Sequence, residues 1–310
     1  MNAQTQTVYN AELREQLIWA DCVEIFPQIA DESVHALISD IPYGIAYDEW
    51  DVLHDNQNTA LGGSCEAQKK RGALFKRRGK PLNGWSEADR QIPAEYQRWC
   101  GTWAGDALRV LKPGGSCIIF AGRRYAHRCI VALEDAGFSF KDSLAWIKDR
   151  APLRAQRLSV VFKRRGDIEN AQRWPQHRLA NLMPLYEPIL WFQKPYKTGR
   201  TLTNNMLEHE VGAWNEEALK KYNIFKTHAC SNIIQVEVSV HDRGMHPAQK
   251  PLNLMKLLVE LVTQPKQIVL DPFMGCGSTC LASAMLQRHY IGIEQHVQHY
   301  QNAKKRLEML

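Results

Sequence analysis

Four short apolar runs in this chain, residues 16–21, 34–40, 267–271 and 290–294, each end in an acid: Asp21, Asp40, Asp271 and Glu294. They are apolar along their length rather than alternating. That pattern predicts strands of a parallel sheet covered by helices on both faces. Residues 116–120, 138–147 and 184–193 read as three more strands. Helices are expected over 22–29, 93–110, 125–136, 251–262, 278–287 and 295–309, with Lys112-Pro113-Gly114-Gly115 as a turn after the second of these and Gly137 ending the third. The expected fold class is therefore α/β.

At 310 residues the chain can bury a large core, as one domain or as one domain with insertions. The formal net charge is +6, a weak pointer to a polyanion by itself, but the basic residues cluster. Within a glycine-rich loop at 50–91 lie Lys69, Lys70, Arg71, Lys76, Arg77 and Arg78, with no acid between Lys69 and Lys80. Such a run is either a solvated surface or a phosphate contact. A second basic segment, 148–183, carries Arg164 and Arg165, and a third irregular segment runs over 194–243. The eight cysteines lack zinc-ligand spacing, so no metal site is expected. Residues 1–15 are polar and no apolar run reaches the length of a membrane span, which predicts a cytoplasmic protein without membrane partners.

After the strand ending at Asp271 comes Pro272-Phe273-Met274-Gly275-Cys276-Gly277-Ser278-Thr279, then a helix. A glycine loop between strand and helix brings backbone N–H groups to the carboxyl edge of a sheet, where open α/β folds bind ligands. The next strand ends in Glu294, an acid placed to accept hydrogen bonds from ribose hydroxyls. A dinucleotide fingerprint would need a third glycine where Cys280 stands, so a nucleoside cofactor fits better than NAD. Asp271 is either a strand-end cap or a residue near the charged end of that cofactor. Upstream, His246-Pro247-Ala248-Gln249-Lys250-Pro251 puts Lys250 close to a helix N-terminus, where it opposes the helix dipole; it is either an exposed lysine or the partner of a carboxylate.

The other informative segment is Asp40-Ile41-Pro42-Tyr43-Gly44. Ile41 precedes proline and is pushed toward extended backbone, and Pro42 fixes the next dihedral. The turn presents a carboxylate, the Ile41 carbonyl and an aromatic ring. Two acceptors match the two N–H donors of an exocyclic amino group, and Tyr43 can stack on the ring that bears it. A strand-end aspartate before proline also occurs in ordinary turns.

Taken together these motifs resemble the amino-type DNA methyltransferases, in the permuted group whose catalytic motif precedes the cofactor motif. Asp40, Pro42 and Tyr43 match the family's Asp/Asn/Ser-Pro-Pro-aromatic motif, with Ile41 in place of its first proline. Asp271 to Thr279 resembles the family's cofactor loop, and His246 to Pro251 matches its His-Pro-x-x-Lys-Pro segment. The resemblance implies S-adenosylmethionine as cofactor. It would be held by Asp21, Cys22, His246, Lys250, Pro251, Asp271, Phe273, Gly275, Cys276, Gly277, Ser278, Thr279 and Glu294, with Lys250 on the methionine carboxylate. It also implies a seven-stranded, mostly parallel Rossmann-like methyltransferase sheet, permuted, with target-recognition segments inserted. Residues 1–147 would form the catalytic half and 148–183 a basic insertion. Residues 184–193 would be a sheet strand, 194–243 the target-recognition segment, and 244–310 the cofactor half. The implied reaction is methylation of the N6 amino group of adenine in DNA, with Asp40 tilting the choice away from N4 of cytosine. A DNA-binding module without catalysis and methylation of a protein or RNA amine are the competing readings. A second copy of the chain and a cognate restriction endonuclease are left open as partners.

Overall fold

The computed structural model describes residues 10–12, 14–44, 51, 53, 86–151, 153, 155–222, 230–236 and 249–310. The basic residues Lys69, Lys70, Arg71, Lys76, Arg77 and Arg78, and also His246, lie outside them. Strand β1 (Glu15–Trp19) leads through α1 (Cys22–Ile25) and a 3-10 turn (Phe26–Gln28) to β2 (Val34–Asp40). Then come α2 (Glu87–Val110), β3 (Leu111–Phe120), α3 (Gly122–Asp135) and β4 (Ser139–Ile147). An excursion holds β5 (Gln156–Arg157), α4 (Leu158–Arg164), α5 (Ile168–Arg173) and β6 (Arg178–Leu179). The chain returns through β7 (Tyr186–Gln193), α6 (Leu202–His209), α7 (Glu216–Lys221) and β8 (Ile233–Ile234). It ends with α8 (Leu252–Val262), β9 (Ile268–Asp271), α9 (Ser278–Met285), β10 (His289–Glu294) and α10 (Val297–Glu308).

The main sheet has the order β1-β10-β9-β2-β3-β7-β4-β8. All its neighbours pair in parallel except β7, which runs antiparallel to both β3 and β4. The seven expected strands are all present, and the two-residue β8 adds an eighth beside β4. Central strands are buried on both faces, which is why their sequences do not alternate. From β2, Leu37 packs with Tyr96, Cys100 and Trp103 of α2 on one face, while Ala36 and Ile38 pack with Leu254 and Leu258 of α8 on the other. Each large aliphatic side chain buried this way stabilises the fold by roughly 1.5–3 kcal/mol. Among the described residues no helix is long and apolar enough to cross a membrane.

Several expectations are corrected. Helix α2 begins at Glu87 rather than at Pro93, and so takes in the end of the 50–91 loop. A capping box between Ser86 and Asp89 satisfies its first N–H groups, which outweighs the cost of Pro93 in the second turn. Lys112 to Gly115 is not a turn between elements but a bulge within β3. Val34 pairs with Leu111 and Ala36 with Ser116, so the residues between bulge outward. Lys194 ties the bulge down, its carbonyl accepting from Gly114 N–H at 2.9 Å and its own N–H reaching Gly115 O at 3.0 Å. Segments 148–183 and 194–243, expected to be irregular, carry short helices and strands. The helix expected over 22–29 stops at Ile25, and the chain tightens into the 3-10 turn at Pro27.

Candidate active site

Strands β9 and β2 are neighbours at the centre of the sheet, with Ala36 opposite Val269 and Leu37 opposite Leu270. From β9 the chain moves to β10 on one side; from β2 it moves to β3 on the other. This is the switch point at which open α/β sheets form a crevice beyond the strand ends. Here that crevice is a cleft of about 620 Å³. Asp40, Ile41, Pro42 and Tyr43 line it together with Asp21, Cys22, Lys250, Asp271, Phe273, Gly275, Cys276, Ser278, Thr279 and Glu294. The two segments singled out in the sequence thus share one cavity.

The acid turn is anchored on both sides. Gly44 N–H donates to the buried Asp51 at 2.8 Å, and Tyr96 Oη donates to the Pro42 carbonyl at 3.3 Å. The Tyr43 ring lies against Gly122, where a Cβ would come within 2.6 Å of the ring. Tyr43 Oη lies 2.9 Å from Asp40 Oδ1 and 2.5 Å from Glu187 Oε1. Lys250 Nζ completes the cluster at 2.5 Å from Asp40 Oδ2, 3.0 Å from Tyr43 Oη and 3.4 Å from Glu187 Oε1. Lys148, at the end of β4, forms an ion pair with Glu187 Oε2.

Charge in this cluster is balanced unevenly. Burial opposes ionisation of Glu187, but the Lys250 and Lys148 ammonium groups outweigh it and hold the carboxyl at about 2. Burial raises the Asp40 carboxyl, Lys250 works against that, and the Glu187 charge adds to the rise. Burial alone would favour neutral Lys250, yet the two carboxylates raise its pKa. Asp40 keeps 24% of its side chain exposed, so its carboxylate faces the cleft. Lys250 is only 7% exposed. The carboxylates expected to hold it were a cofactor's; those it meets here are Asp40 and Glu187 of the chain itself.

On the other wall, Asp271 organises the glycine loop. Its carboxylate accepts from Ser39 Oγ at 2.6 Å and Phe273 N–H at 3.2 Å, and burial pushes its pKa up to about 6. Glu294 accepts from Gly275 N–H at 2.9 Å and His296 N–H at 2.8 Å, and burial pushes it up to about 7. Gly275 has φ +53 and no neighbour within 4 Å of a built Cβ, so a side chain there would stand in open space at the cleft wall. Gly277 does not line the cleft. It caps α9 with φ +76, and a Cβ would press on Ala303 at 2.9 Å. Asp21 caps α1, accepting from Val23 N–H at 3.0 Å, and Pro251 sits just before α8.

Several residues that line or brace the cleft, among them Trp99, Trp103 and Arg306, escaped the sequence reading. Phe273 packs at 5.5 Å from Trp99 and 5.6 Å from Trp103, both on α2. Arg306, on α10, pins the loop by donating to Cys276 O at 2.7 Å and Ser278 Oγ at 3.1 Å. Trp146, Lys148, Glu187 and Gln249 form the end of the cleft away from the glycine loop. There, among the described residues, the buried Trp146 Nε1 and Gln249 Oε1 have no hydrogen-bond partner. Only Glu187 left a signal that local reading could have used, an acid at the head of an otherwise apolar strand. Arg164 and Arg165 are exposed at the end of α4, outside the cleft.

A family model for N6/N4 DNA methylases matches residues 34–305. Type II methyltransferase M.HindIII of Haemophilus influenzae is 57% identical over 291 residues, spanning 93% of this chain and 93% of the relative. Among solved structures, PvuII DNA methyltransferase (cytosine-N4-specific) aligns with a TM-score of 0.60 at 16% identity, over 97% of this chain and 87% of that one. The M1.HpyAVI–SAM complex aligns with a TM-score of 0.54 at 23% identity, over 94% and 98%. At those identities the two structures speak for the fold.

Proposed function

Because this chain belongs to the N6/N4 DNA methylase family and uses S-adenosylmethionine as its cofactor, we propose that it methylates the N6 amino group of adenine within a specific DNA sequence. The observation that carries this reading is the Asp40 carboxylate, at the head of a rigid turn, in the same cleft as the glycine loop. Asp40 and the Ile41 carbonyl would each accept one N–H of the amino group. That draws its lone pair out of conjugation and aims it across the cleft. Tyr43 would support the extruded base. Positioning and electrostatic stabilisation then supply much of the rate. Its raised pKa suits Asp40 to take the proton that the nitrogen sheds. Labelled cofactor, genomic DNA and nucleoside mass spectrometry test the assignment. N6-methyladenine is expected; N4-methylcytosine would move the target, and no product would leave a DNA-binding module.

The residues of the glycine-loop wall fit S-adenosylmethionine. The loop bears an open glycine at 275, Glu294 keeps lone pairs for a ribose diol, and Asp21 is an exposed acid at the cleft rim for an adenine amine. Phe273, Cys276, Ser278 and Thr279 would complete the seat, with Cys22 beside Asp21. When bound, the cofactor supplies an electrophilic methyl group on sulfur. Residues 1–147 would serve catalysis and 244–310 would hold the cofactor, in the cytoplasm.

Glu294 makes the cofactor step pH-dependent. Its folded pKa of about 7 lies above the carboxylate value of 4.5. Its protonated form therefore contributes stability below about pH 4.5 that is lost as pH rises through 7. Ribose hydroxyls donate to the ionised form, so cofactor affinity has the opposite slope. Calorimetry is expected to show the dissociation constant falling by about tenfold from pH 6 to pH 8, with proton release on binding. A flat profile would remove the Glu294 carboxylate from the ribose site.

Segment 148–183 leaves the sheet between the end of β4 and the start of β7, beside Asp40's end of the cleft. It carries Arg157, Lys163, Arg164, Arg165, Arg173 and Arg178, all exposed. In the proposed assignment it meets phosphates, together with the basic loop at 69–78, while 194–243 contributes target recognition. Neutralising Arg164 and Arg165 is expected to weaken DNA binding and to lower the slope of log affinity against log salt by about 1.8. An unchanged slope would exclude both from the DNA contact.

A further inference from the structure

Glu187 has no part in the two-acceptor scheme above, yet it meets three side chains of the cluster, Tyr43, Lys148 and Lys250. It is the second residue of β7, 7% exposed. Because β7 alone in the sheet runs antiparallel, its first residues arrive at the edge where Asp40 ends β2. Register places Glu187 opposite Trp146, so Lys148, the first residue past the end of β4, lies close by. Facing the Glu187 carboxylate are Tyr43 and Asp40 from β2 and its turn, Lys148 just past β4, and Lys250 ahead of α8. Asp271, at the end of β9, is the next charge beyond Asp40.

Proton counting decides what this arrangement does. A tyrosine hydroxyl has one proton to donate. Tyr43 Oη has two carboxylates in reach, Glu187 at 2.5 Å and Asp40 at 2.9 Å. The shorter contact takes the proton. Asp40 Oδ1 is then left facing the cleft with its acceptor capacity free, while Lys250 keeps Oδ2 charged. Resting on the assignment of Asp40 as the acceptor for the target amino group, we propose that Glu187 is a positioning residue that draws the Tyr43 hydroxyl off Asp40 and so keeps Asp40 open to the substrate N–H.

If Glu187 is replaced by glutamine, the amide can donate to Tyr43 Oη, and the tyrosine proton turns to Asp40. Glu187→Gln is therefore expected to lower kcat by about a hundredfold with cofactor affinity within twofold. The acid limb of kcat against pH should move to lower pH, because the negative charge that raises Asp40 is gone. Tyr43→Phe should cost less turnover in the Glu187→Gln background than in wild type, because the competing hydroxyl is then absent. Glu187→Asp, which keeps the charge, is expected to hold the acid limb in place, and supplies the readout should the glutamine variant not fold. Wild-type turnover in Glu187→Gln would overturn the proposal. So would a loss of turnover with an unmoved acid limb and fully additive Tyr43→Phe effects. Asp40→Ala is measured alongside. If it remains active, the assignment of Asp40 fails first; if it is inactive while Glu187→Gln is normal, only the role of Glu187 falls.

Discussion

Asp40→Ala is expected to lower methyl transfer by at least about a thousandfold, equivalent to roughly 4 kcal/mol of transition-state stabilisation, while cofactor affinity stays within about threefold. The fold should tolerate the change. Lys250 retains Glu187 at 3.4 Å and the Tyr43 hydroxyl at 3.0 Å, so no buried charge is left without a partner. What disappears is the acceptor that holds one amino hydrogen and takes the departing proton. Single-turnover assays at saturating cofactor, with calorimetry on the same protein, separate the two effects. Preserved turnover with lost affinity would place Asp40 in the cofactor seat instead.

Lys250→Met is expected to have the second largest effect, on stability and turnover together. The family resemblance implies a methionine carboxylate for Lys250. The structure spends its three N–H groups on Asp40, Tyr43 and Glu187. Removing the ammonium leaves Glu187 with Lys148 and takes from Asp40 its ion-pair partner at 2.5 Å. Breaking one side of a buried ion pair costs about 3–5 kcal/mol. Thermal unfolding should show that loss. Turnover should fall further than cofactor affinity, because the charge that keeps Asp40 ionised has gone. A variant with wild-type stability and turnover, and only a weakened cofactor dissociation constant, would return Lys250 to the cofactor alone.

Much of the site was legible in local sequence. An apolar run that ends in an acid, followed by glycines and a helix, specifies a strand, a ligand loop and a helix N-terminus with few alternatives. That is why Asp271, Gly275 and Glu294 fall together at one edge of the sheet. Element ends were less legible, because caps and prolines compete: at α2 the Ser86–Asp89 box prevailed over Pro93. The Lys112 to Gly115 segment has the composition of a turn, yet its backbone groups find partners in Lys194, so it stays within β3.

By itself, the sequence determined the α/β class, the order of the two motifs and the acids at the strand ends, because backbone preference and hydrophobic pattern act over a few residues. Only the tertiary structure decided which of those acids meet which cations. Tyr43 reaches Glu187 across 144 residues and Lys250 across 207. Contacts of that span depend on strand order and side-chain reach, which leave no periodic trace in the chain. Lys148, Trp99, Trp103 and Arg306 entered the picture for the same reason.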